Sequence, residues 1–253
     1  MQAQAEKTAR ERLAAQANLE ALKAPLIRLV REQPDYERLA RQQLIPAKKL
    51  PQNYTHVAAP VVFGPDVERL IALVGPYDYD WKWELAEPGS HGVSQADKKT
   101  GTFGGHTDND ASCGSAVGTY FRPSAAEAWV RSVSVIKYGI YWVANSHFMT
   151  AHTDASIGVQ VLSSNLAGGD VQVDVDSWTS IYDITSYDLS QQQNELDGLE
   201  IRPSVEFRAL NQRHYFLWTL CSMNTWGNDG NNPTWSQAYG NLWATTVNIV
   251  IWQ

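Results

Sequence analysis

The stretch "WVRSVSVIKYGIYWVA", residues 129–144, is a long run in which apolar residues recur at every second position. A period of two indicates a β-strand with one buried face. The apolar parity changes along the run, because Val133 and Val135 occupy odd positions whereas Ile136 and Ile140 occupy even ones. A β-bulge, or a bend between two sheets, produces such a change. The stretch therefore predicts a long strand with an irregularity near its middle.

Strand patterns also dominate the rest of the chain beyond residue 77. Two segments alternate cleanly, with apolar positions at Val171, Val173 and Val175 and at Trp243, Val247, Ile249 and Ile251. Further strands are predicted near residues 78–85, 116–122, 156–163, 181–187, 199–209 and 213–223. Residues 215–221 are apolar on both parities, as in a central strand covered on both sides. About nine strands with few helices between them cannot form βαβ units. The sequence thus predicts a mainly β fold, an antiparallel two-sheet β-sandwich of jelly-roll type.

The N-terminal region has a helical pattern instead. Apolar residues step by three and four positions at Ala15, Leu19, Leu22, Leu26 and Leu29, the spacing of a helical seam. Pro25 interrupts the seam, so we expect a kink or two helices. The seam can pack on the chain's own β body or can mediate self-association. We divide the chain into an α-helical segment (1–50), a linker with a short helix from Pro65 to Val74 (51–77), and a β-sandwich domain (78–253).

The composition is that of a folded protein with an acidic main body. The chain is 43% apolar and 11% aromatic, a content that disordered sequences lack. Residues 1–50 hold 10 Lys and Arg against 6 Asp and Glu, whereas residues 51–253 hold 10 against 21. An acidic body disfavours binding to nucleic-acid phosphates. We expect no nucleic-acid partner, and we interpret the basic N-terminal segment as a solvated helix face or a contact with an acidic neighbouring subunit.

The sequence contains no pattern typical of a secretory signal or a membrane span. Its first residues lack a basic start followed by an apolar run, and no stretch approaches the roughly 18 apolar residues that span a bilayer. We expect a soluble protein, cytoplasmic or exported without a Sec signal peptide. Cys113 and Cys221 form no CxxC pair, and Cys221 lies in an apolar run. Buried free thiols are therefore expected.

The tripeptide His-Thr-Asp occurs twice and is the sharpest metal candidate. One copy spans His106 and Asp108 within the stretch "GGHTDNDASCG", and the other spans His152 and Asp154. Non-haem iron oxygenases hold Fe(II) with such a pair and a distant histidine, for which His214 is available. The four residues could instead converge on a structural Zn²⁺. The simplest interpretation is two polar turns, the glycine-rich one flexible, so we expect no cofactor.

The segment "WGNDGNNPTW" is the candidate ligand-binding loop. Asn-Asp-Gly is a strong turn signal, so the segment is expected to connect two strands. An indole face covers the apolar face of a pyranose ring, while amides and carboxylates bind the sugar hydroxyl groups. The predicted ligand-binding residues are Trp226, Asn228, Asp229, Asn231, Asn232 and Trp235. A similar mixture of aromatic and polar side chains surrounds Trp178, Tyr182 and Tyr187.

The sequence contains no complete catalytic set. It has no GxSxG segment and no glycine-rich phosphate loop, the patterns of an activated serine and of nucleotide binding. We therefore predict a non-enzymatic recognition protein, a lectin-like carbohydrate-binding β-sandwich. Two alternatives stay open. One is a self-assembling structural or toxin subunit with an N-terminal helical oligomerisation arm, and the other is an iron- or zinc-dependent enzyme that uses the two His-Thr-Asp pairs.

Overall fold

The computed structural model describes residues 45–46, 70–123, 125–147, 150–166, 170–187, 189–227 and 236–253. These residues contain β-strands and no helix. The helical segment predicted for residues 1–50 lies outside them, apart from a two-residue strand at its end, and self-association through its seam stays a prediction. The strands are β1 (Ile45–Pro46), β2 (Leu70–Leu73), β3 (Tyr79–Ala86), β4 (His91–Asp97), β5 (Thr102–Asp108), β6 (Ala111–Phe121), β7 (Glu127–Ser146), β8 (Ala151–Asn165), β9 (Gln172–Ser186), β10 (Gln191–Ile201), β11 (Ser204–Leu210), β12 (Arg213–Trp226) and β13 (Ser236–Trp252).

The strands form two antiparallel sheets. The eight-stranded sheet is organised around β7 and β13, which pair from Ser146 opposite Ser236 to Arg131 opposite Trp252. Strands β5 and β2 flank the free side of β13, and β10 and β11 flank that of β7. The five-stranded sheet has the order β3-β6-β12-β8-β9. The predicted mainly β architecture with two antiparallel sheets is confirmed, and its jelly-roll connectivity stays a prediction.

A continuous apolar core lies between the two sheets. Val117 and Leu217 of the five-stranded sheet belong to the same cluster as Ile140 and Leu242 of the eight-stranded sheet. Residues 215–221 of β12 are all buried, as predicted for a central strand covered on both sides. A second cluster lies on the opposite, outer face of the five-stranded sheet and comprises Tyr79, Trp81, Trp83, Ala116, Tyr120, Leu162, Phe216, Trp218 and Leu220.

Strand β7 contradicts the predicted change of parity. Its even-numbered residues face the core throughout, and these include Ser132 and Ser134, which are 3% and 1% exposed. The two serines pair with Ile251 and Ile249 of β13, whose larger side chains fill the core at this point. Val133 and Val135, which occupy odd positions, therefore point to the outer face of the sheet.

The irregularity occurs instead in the partner strand. The register between β7 and β13 shifts between Thr246 and Asn248, which is the signature of a β-bulge. Leu242 and Thr246 face the core before the shift, and Ile249 faces the core after it. Trp243, which the sequence pattern grouped with Ile249, therefore lies on the outer face.

Three other segments differ from their predictions. Residues 70–73, predicted to end a short helix, form β2 and pair with the C-terminal end of β13. The "GGHTD" part of the predicted flexible turn is strand β5, in which Gly105 leaves no room for a Cβ between Val93 O and Cys113 Sγ. The valine alternation at the start of β9 is broken by a register shift opposite Val161 and Leu162.

Aromatic rings lie over glycines of the neighbouring strand on both outer faces. A Cβ added at these positions would collide with the ring in the pairs Gly114–Trp83, Gly118–Tyr79, Gly139–Trp243 and Gly158–Trp178. The ring in each pair occupies the space that a side chain would need. The glycines therefore let large rings lie flat against the sheet.

Both cysteines are free and buried, as predicted. Cys221 Sγ lies 3.4 Å from Ser115 Oγ, and burial raises the pKa of both thiols. Within the described residues, no helix is long and apolar enough to cross a membrane.

We predict that Gly118→Ala destabilises the fold. The new Cβ would lie 2.7 Å from Leu217 O and 2.6 Å from the Tyr79 ring, and such overpacking costs about 1–3 kcal/mol. Urea denaturation measures the loss in the free energy of unfolding. The control is Asn194→Ala at an exposed position of β10, and an equal effect of the two substitutions would contradict the packing argument.

We also predict that neither thiol reacts with Ellman's reagent in the native protein at mildly alkaline pH. The thiolate is the reactive species, and burial disfavours it at Cys113 and Cys221. Both thiols should react fully in guanidinium chloride. Rapid release of one thionitrobenzoate per native chain would show that one of the two sites opens.

Candidate functional site

The outer face of the five-stranded sheet becomes polar at the ends of β8, β9 and β12. Side chains of these strands form transverse rows, in which Ser222, Ser156 and Ser180 are followed by Asn224, Asp154 and Asp183, and then by Trp226, His152 and Thr185. Trp178 stands on the other side of the serine row. We call the surface formed by Asp154, Ser156, Trp178, Ser180, Asp183, Ser222, Asn224 and Trp226 the serine cleft.

Small side chains form the floor of the serine cleft. Ser156 and Ser222 are half-buried and Ser180 is exposed. The Trp178 indole lies over Gly158 and is 38% exposed, so it presents a flat ring beside this floor. Its Nε1 donates a hydrogen bond to Asp176 Oδ2 at 3.1 Å, which fixes the edge of the ring. The serine cleft thus combines the Trp178 indole with a row of serine hydroxyl groups.

His152 positions the Asp154 side chain at one end of the serine cleft. It is 2% exposed, and its Nε2 lies 2.8 Å from Asp154 Oδ2 while its Nδ1 lies 2.9 Å from Thr185 Oγ1. Because a carboxylate only accepts hydrogen bonds, the tautomer with the proton on Nε2 satisfies both contacts, and the Thr185 hydroxyl then donates to Nδ1. Asp183 Oδ1 lies 3.8 Å from the same Nδ1. The imidazole therefore fixes the orientation of Asp154.

Asn224 is oriented by the same carboxylate. Its Nδ2 donates a hydrogen bond to Asp154 Oδ1 at 3.0 Å, which directs the amide oxygen away from Asp154. That oxygen is buried and has no hydrogen-bond partner in the part of the chain that the structure describes. A buried acceptor without a partner is costly. The Asn224 amide at this end of the cleft is therefore oriented by Asp154.

Trp226 is the predicted ligand-binding residue that the structure describes. Its ring meets the His152 ring edge to face at 5.2 Å between centroids. The structure thus joins two features that the sequence treated separately, the second His-Thr-Asp copy and the start of the predicted ligand loop. Asn228, Asp229, Asn231, Asn232 and Trp235 lie outside the described residues, and their role stays a prediction.

The two His-Thr-Asp copies lie on different sheets. His106 and Asp108 point outward from β5 of the eight-stranded sheet, where the His106 ring stacks with Tyr239 at 6.3 Å between centroids. His152 and Asp154 point outward from β8 of the five-stranded sheet. Packed sheets are about 10 Å apart, and the two pairs face in opposite directions across this core. The structure does not bring the four predicted metal ligands together.

The distant histidine of the iron hypothesis also lies elsewhere. His214 pairs with Ser164, twelve residues along β8 from His152, a distance of about 40 Å in a strand. Its Nδ1 lies 2.7 Å from the Tyr120 hydroxyl. Among the described residues, no group of three or more His, Cys, Asp or Glu side chains is arranged to hold a metal ion.

Sequence reasoning did not identify Asn224, Asp183 or the three serines of the floor. Each belongs to a strand that the apolar pattern predicts at least in part. Which side chains form a row across the sheet, however, depends on the register between the strands. A one-residue slip would move every side chain of a strand to the other face. The signals in the sequence that pointed to this surface were the aromatic and polar mixture around Trp178, the predicted ligand-binding residue Trp226 and Asp154 of the second His-Thr-Asp copy.

Comparisons with known proteins leave the family of the chain open. No family model matches the chain, and no curated protein matches its sequence. A carbohydrate-binding module in complex with β-1,4-galactotriose is similar with a TM-score of 0.17 and 8% identity, over 65% of this chain and 88% of that one. The C-terminal family 22 carbohydrate-binding module of Clostridium thermocellum Xyn10B has a TM-score of 0.15 and 8% identity, over 65% and 86% of the two chains. The VP2 subviral particle of infectious bursal disease virus has a TM-score of 0.18 and 10% identity, over 81% of this chain and 46% of that one. These scores are too low for the likeness to carry an argument.

We predict that Asp154→Ala lowers the free energy of unfolding by about 1–3 kcal/mol, because His152 Nε2 and Asn224 Nδ2 lose their acceptor. Urea denaturation measures the change. Glu195→Ala, which removes an exposed carboxylate of β10, is the control and should change stability by less than about 0.5 kcal/mol. Equal values for the two variants would mean that the His152 network does not stabilise the fold.

Proposed function

We propose that this protein is a non-enzymatic, lectin-like recognition protein that binds carbohydrate in the serine cleft. The observation that carries the proposal is the Trp178 indole, which lies flat over Gly158 beside a floor of serines and a wall of carboxylate and amide groups. A pyranose ring has an apolar C–H face and a rim of hydroxyl groups. An indole face and convergent polar side chains are complementary to those two surfaces.

The hydrogen-bonding pattern of the cleft favours a ligand that carries hydroxyl groups. Among the described residues, Asn224 Oδ1 is a buried acceptor with no hydrogen-bond partner. The half-exposed Asp183 carboxylate is a second acceptor on the far side of Asp154. Serine hydroxyl groups between these strands can donate and accept. An apolar ligand would make no hydrogen bond with these groups.

The roles of His152 and Asp154 support recognition rather than acid–base catalysis. Both oxygens of Asp154 are already hydrogen-bonded, one to His152 and the other to Asn224. Such a carboxylate is a fixed part of the site. Preorganised polar groups raise affinity because less side-chain freedom is lost on binding.

We further propose that the segment after β12 completes the site. Trp226 stands at the edge of the cleft against His152, and the chain continues from there into the predicted ligand loop. Asn228, Asp229, Asn231, Asn232 and Trp235 then provide additional amide, carboxylate and indole groups for the same sugar. This extension comes from the composition of the segment.

A glycan array followed by calorimetry with the strongest oligosaccharide tests the proposal. Trp178→Ala and Trp226→Ala should each weaken binding about tenfold or more, because aromatic anchors carry a large share of binding energy. Trp129→Ala is the matched control, since Trp129 is 72% exposed and lies on the other sheet. Ser222→Ala should have a smaller effect in the same direction.

Two outcomes would contradict the proposal. One is the absence of any reproducible glycan signal for the full-length protein. The other is an oligosaccharide whose affinity is the same for the native protein, Trp178→Ala and Trp226→Ala. Thermal unfolding of each variant must show that the fold is retained.

A further inference from the structure

The outer face of the eight-stranded sheet carries a second group of aromatic and polar side chains that is separate from the serine cleft. It is built on neighbouring segments of β5, β13 and β7, in which Asp108 pairs with Tyr239 and Asn241 pairs with both His106 and Tyr141. We call the surface formed by His106, Asp108, Tyr141, Tyr239, Asn241 and Trp243 the aromatic platform. All six residues are half-buried.

A flat indole anchors one end of the aromatic platform. Trp243 pairs with Gly139 of β7, and a Cβ at Gly139 would lie 2.6 Å from Trp243 Nε1. The indole therefore lies against Gly139 and occupies the space that a side chain would need there. The same arrangement of a tryptophan over a glycine occurs in the serine cleft at Trp178 and Gly158.

Three further rings continue the surface across the strands. The Tyr239 ring lies 5.6 Å from the Tyr141 ring and 6.3 Å from the His106 ring, with an interplanar angle of only 16° to the histidine. Tyr239 and Trp243 are four residues apart on β13, which corresponds to about 13 Å along the strand. The platform is therefore longer than one sugar ring, and its Tyr141 ring is tilted by 57° from the Tyr239 ring.

Three polar side chains of the platform have no polar side-chain partner among the described residues. His106, Asp108 and Asn241 make no side-chain hydrogen bond or ion pair in the portion of the chain that the structure describes. The corresponding groups of the serine cleft, in contrast, hydrogen-bond to one another around His152. The platform thus has imidazole, carboxylate and amide groups that are available to a ligand, held on central strands of a sheet.

We propose that the aromatic platform is a second carbohydrate-binding site, which takes an extended, uncharged polysaccharide chain. The stacked His106 and Tyr239 rings and the Trp243 indole offer apolar ring surface to successive sugar units, and Asp108 and Asn241 offer polar groups to their hydroxyl groups. The acidic body of the chain, with 21 Asp and Glu against 10 Lys and Arg over residues 51–253, disfavours a polyanionic chain.

The two sites together make the protein bivalent. The serine cleft and the aromatic platform lie on the outer faces of opposite sheets, so a single molecule can hold two glycan chains at once without an oligomer. This inference extends the proposed function but rests on different residues. Either site can therefore fail without the other.

Binding to insoluble polysaccharide tests the platform. Microcrystalline cellulose and chitin powder are the probes, and depletion of the full-length protein from solution is measured. The native protein should bind at least one of them. Trp243→Ala should weaken this binding about tenfold or more, as expected for an aromatic anchor. Asn241→Ala, a milder change on the same face, should weaken it several-fold.

Matched controls separate the platform from other surfaces. Trp129→Ala changes an exposed tryptophan of β7 on the same outer face, ten residues from Gly139 and so about 33 Å away along the strand. Trp178→Ala changes the serine cleft. Trp129→Ala should bind cellulose or chitin as the native protein does, and Trp178→Ala should keep the binding that Trp243→Ala loses. A loss in Trp178→Ala with no loss in Trp243→Ala would place this binding in the cleft and overturn the platform.

Three other results would also overturn the inference. They are no binding of the native protein to either powder, unchanged binding by both Trp243→Ala and Asn241→Ala, and an equal loss in Trp129→Ala. Light scattering distinguishes a carbohydrate site from a self-association surface. A change in the oligomeric mass of folded Trp243→Ala would assign this face to self-association. If the glycan array gives no evidence of binding in the serine cleft, the cellulose and chitin results still test the aromatic platform.

Discussion

The antiparallel ladder between β7 and β13 determines where the other strands of the eight-stranded sheet lie. It runs from Ser146 and Ser236 to Arg131 and Trp252. Two shorter strands pair with the other edge of β7, and two more pair with the other edge of β13. The bulge between Thr246 and Asn248 lets β13 keep apolar residues in the core on both sides of the irregularity. Without it, Ile249 and Ile251 would point outward, because a one-residue slip exchanges the two faces of a strand.

Glycines decide the character of both outer faces. A large ring normally stands away from a sheet, since the side chain of the neighbouring strand occupies the space beside it. At Gly139 and Gly158 this space is empty, and Trp243 and Trp178 lie against the backbone. The result is a flat indole on each outer face of the sandwich. These two rings are the central elements of the aromatic platform and of the serine cleft.

The two His-Thr-Asp copies show how tertiary context changes the role of identical residues. His152 is buried and hydrogen-bonds to its own Asp154, because Thr185 and Asn224 of neighbouring strands surround the pair. His106 is half-buried and stacks with Tyr239 instead. His152 and Asp154 therefore support the serine cleft, whereas His106 and Asp108 form part of the aromatic platform. Neither arrangement can be predicted from the tripeptide.

The sequence by itself determined three features of the described residues. Apolar alternation predicted β-strands, the small number of helical patterns between the strands predicted antiparallel sheets, and apolar residues on both parities predicted that residues 215–221 lie in a buried central strand. These features follow from local patterns, which each segment carries on its own. Only the tertiary structure decided that Ser132 and Ser134 face the core and that Trp243 does not, because the bulge lies in β13 and not in β7. It also decided which strands meet. The row of Asn224, Asp154 and Asp183 exists because three strands distant in sequence share one register, and register depends on cross-strand packing that no single segment encodes.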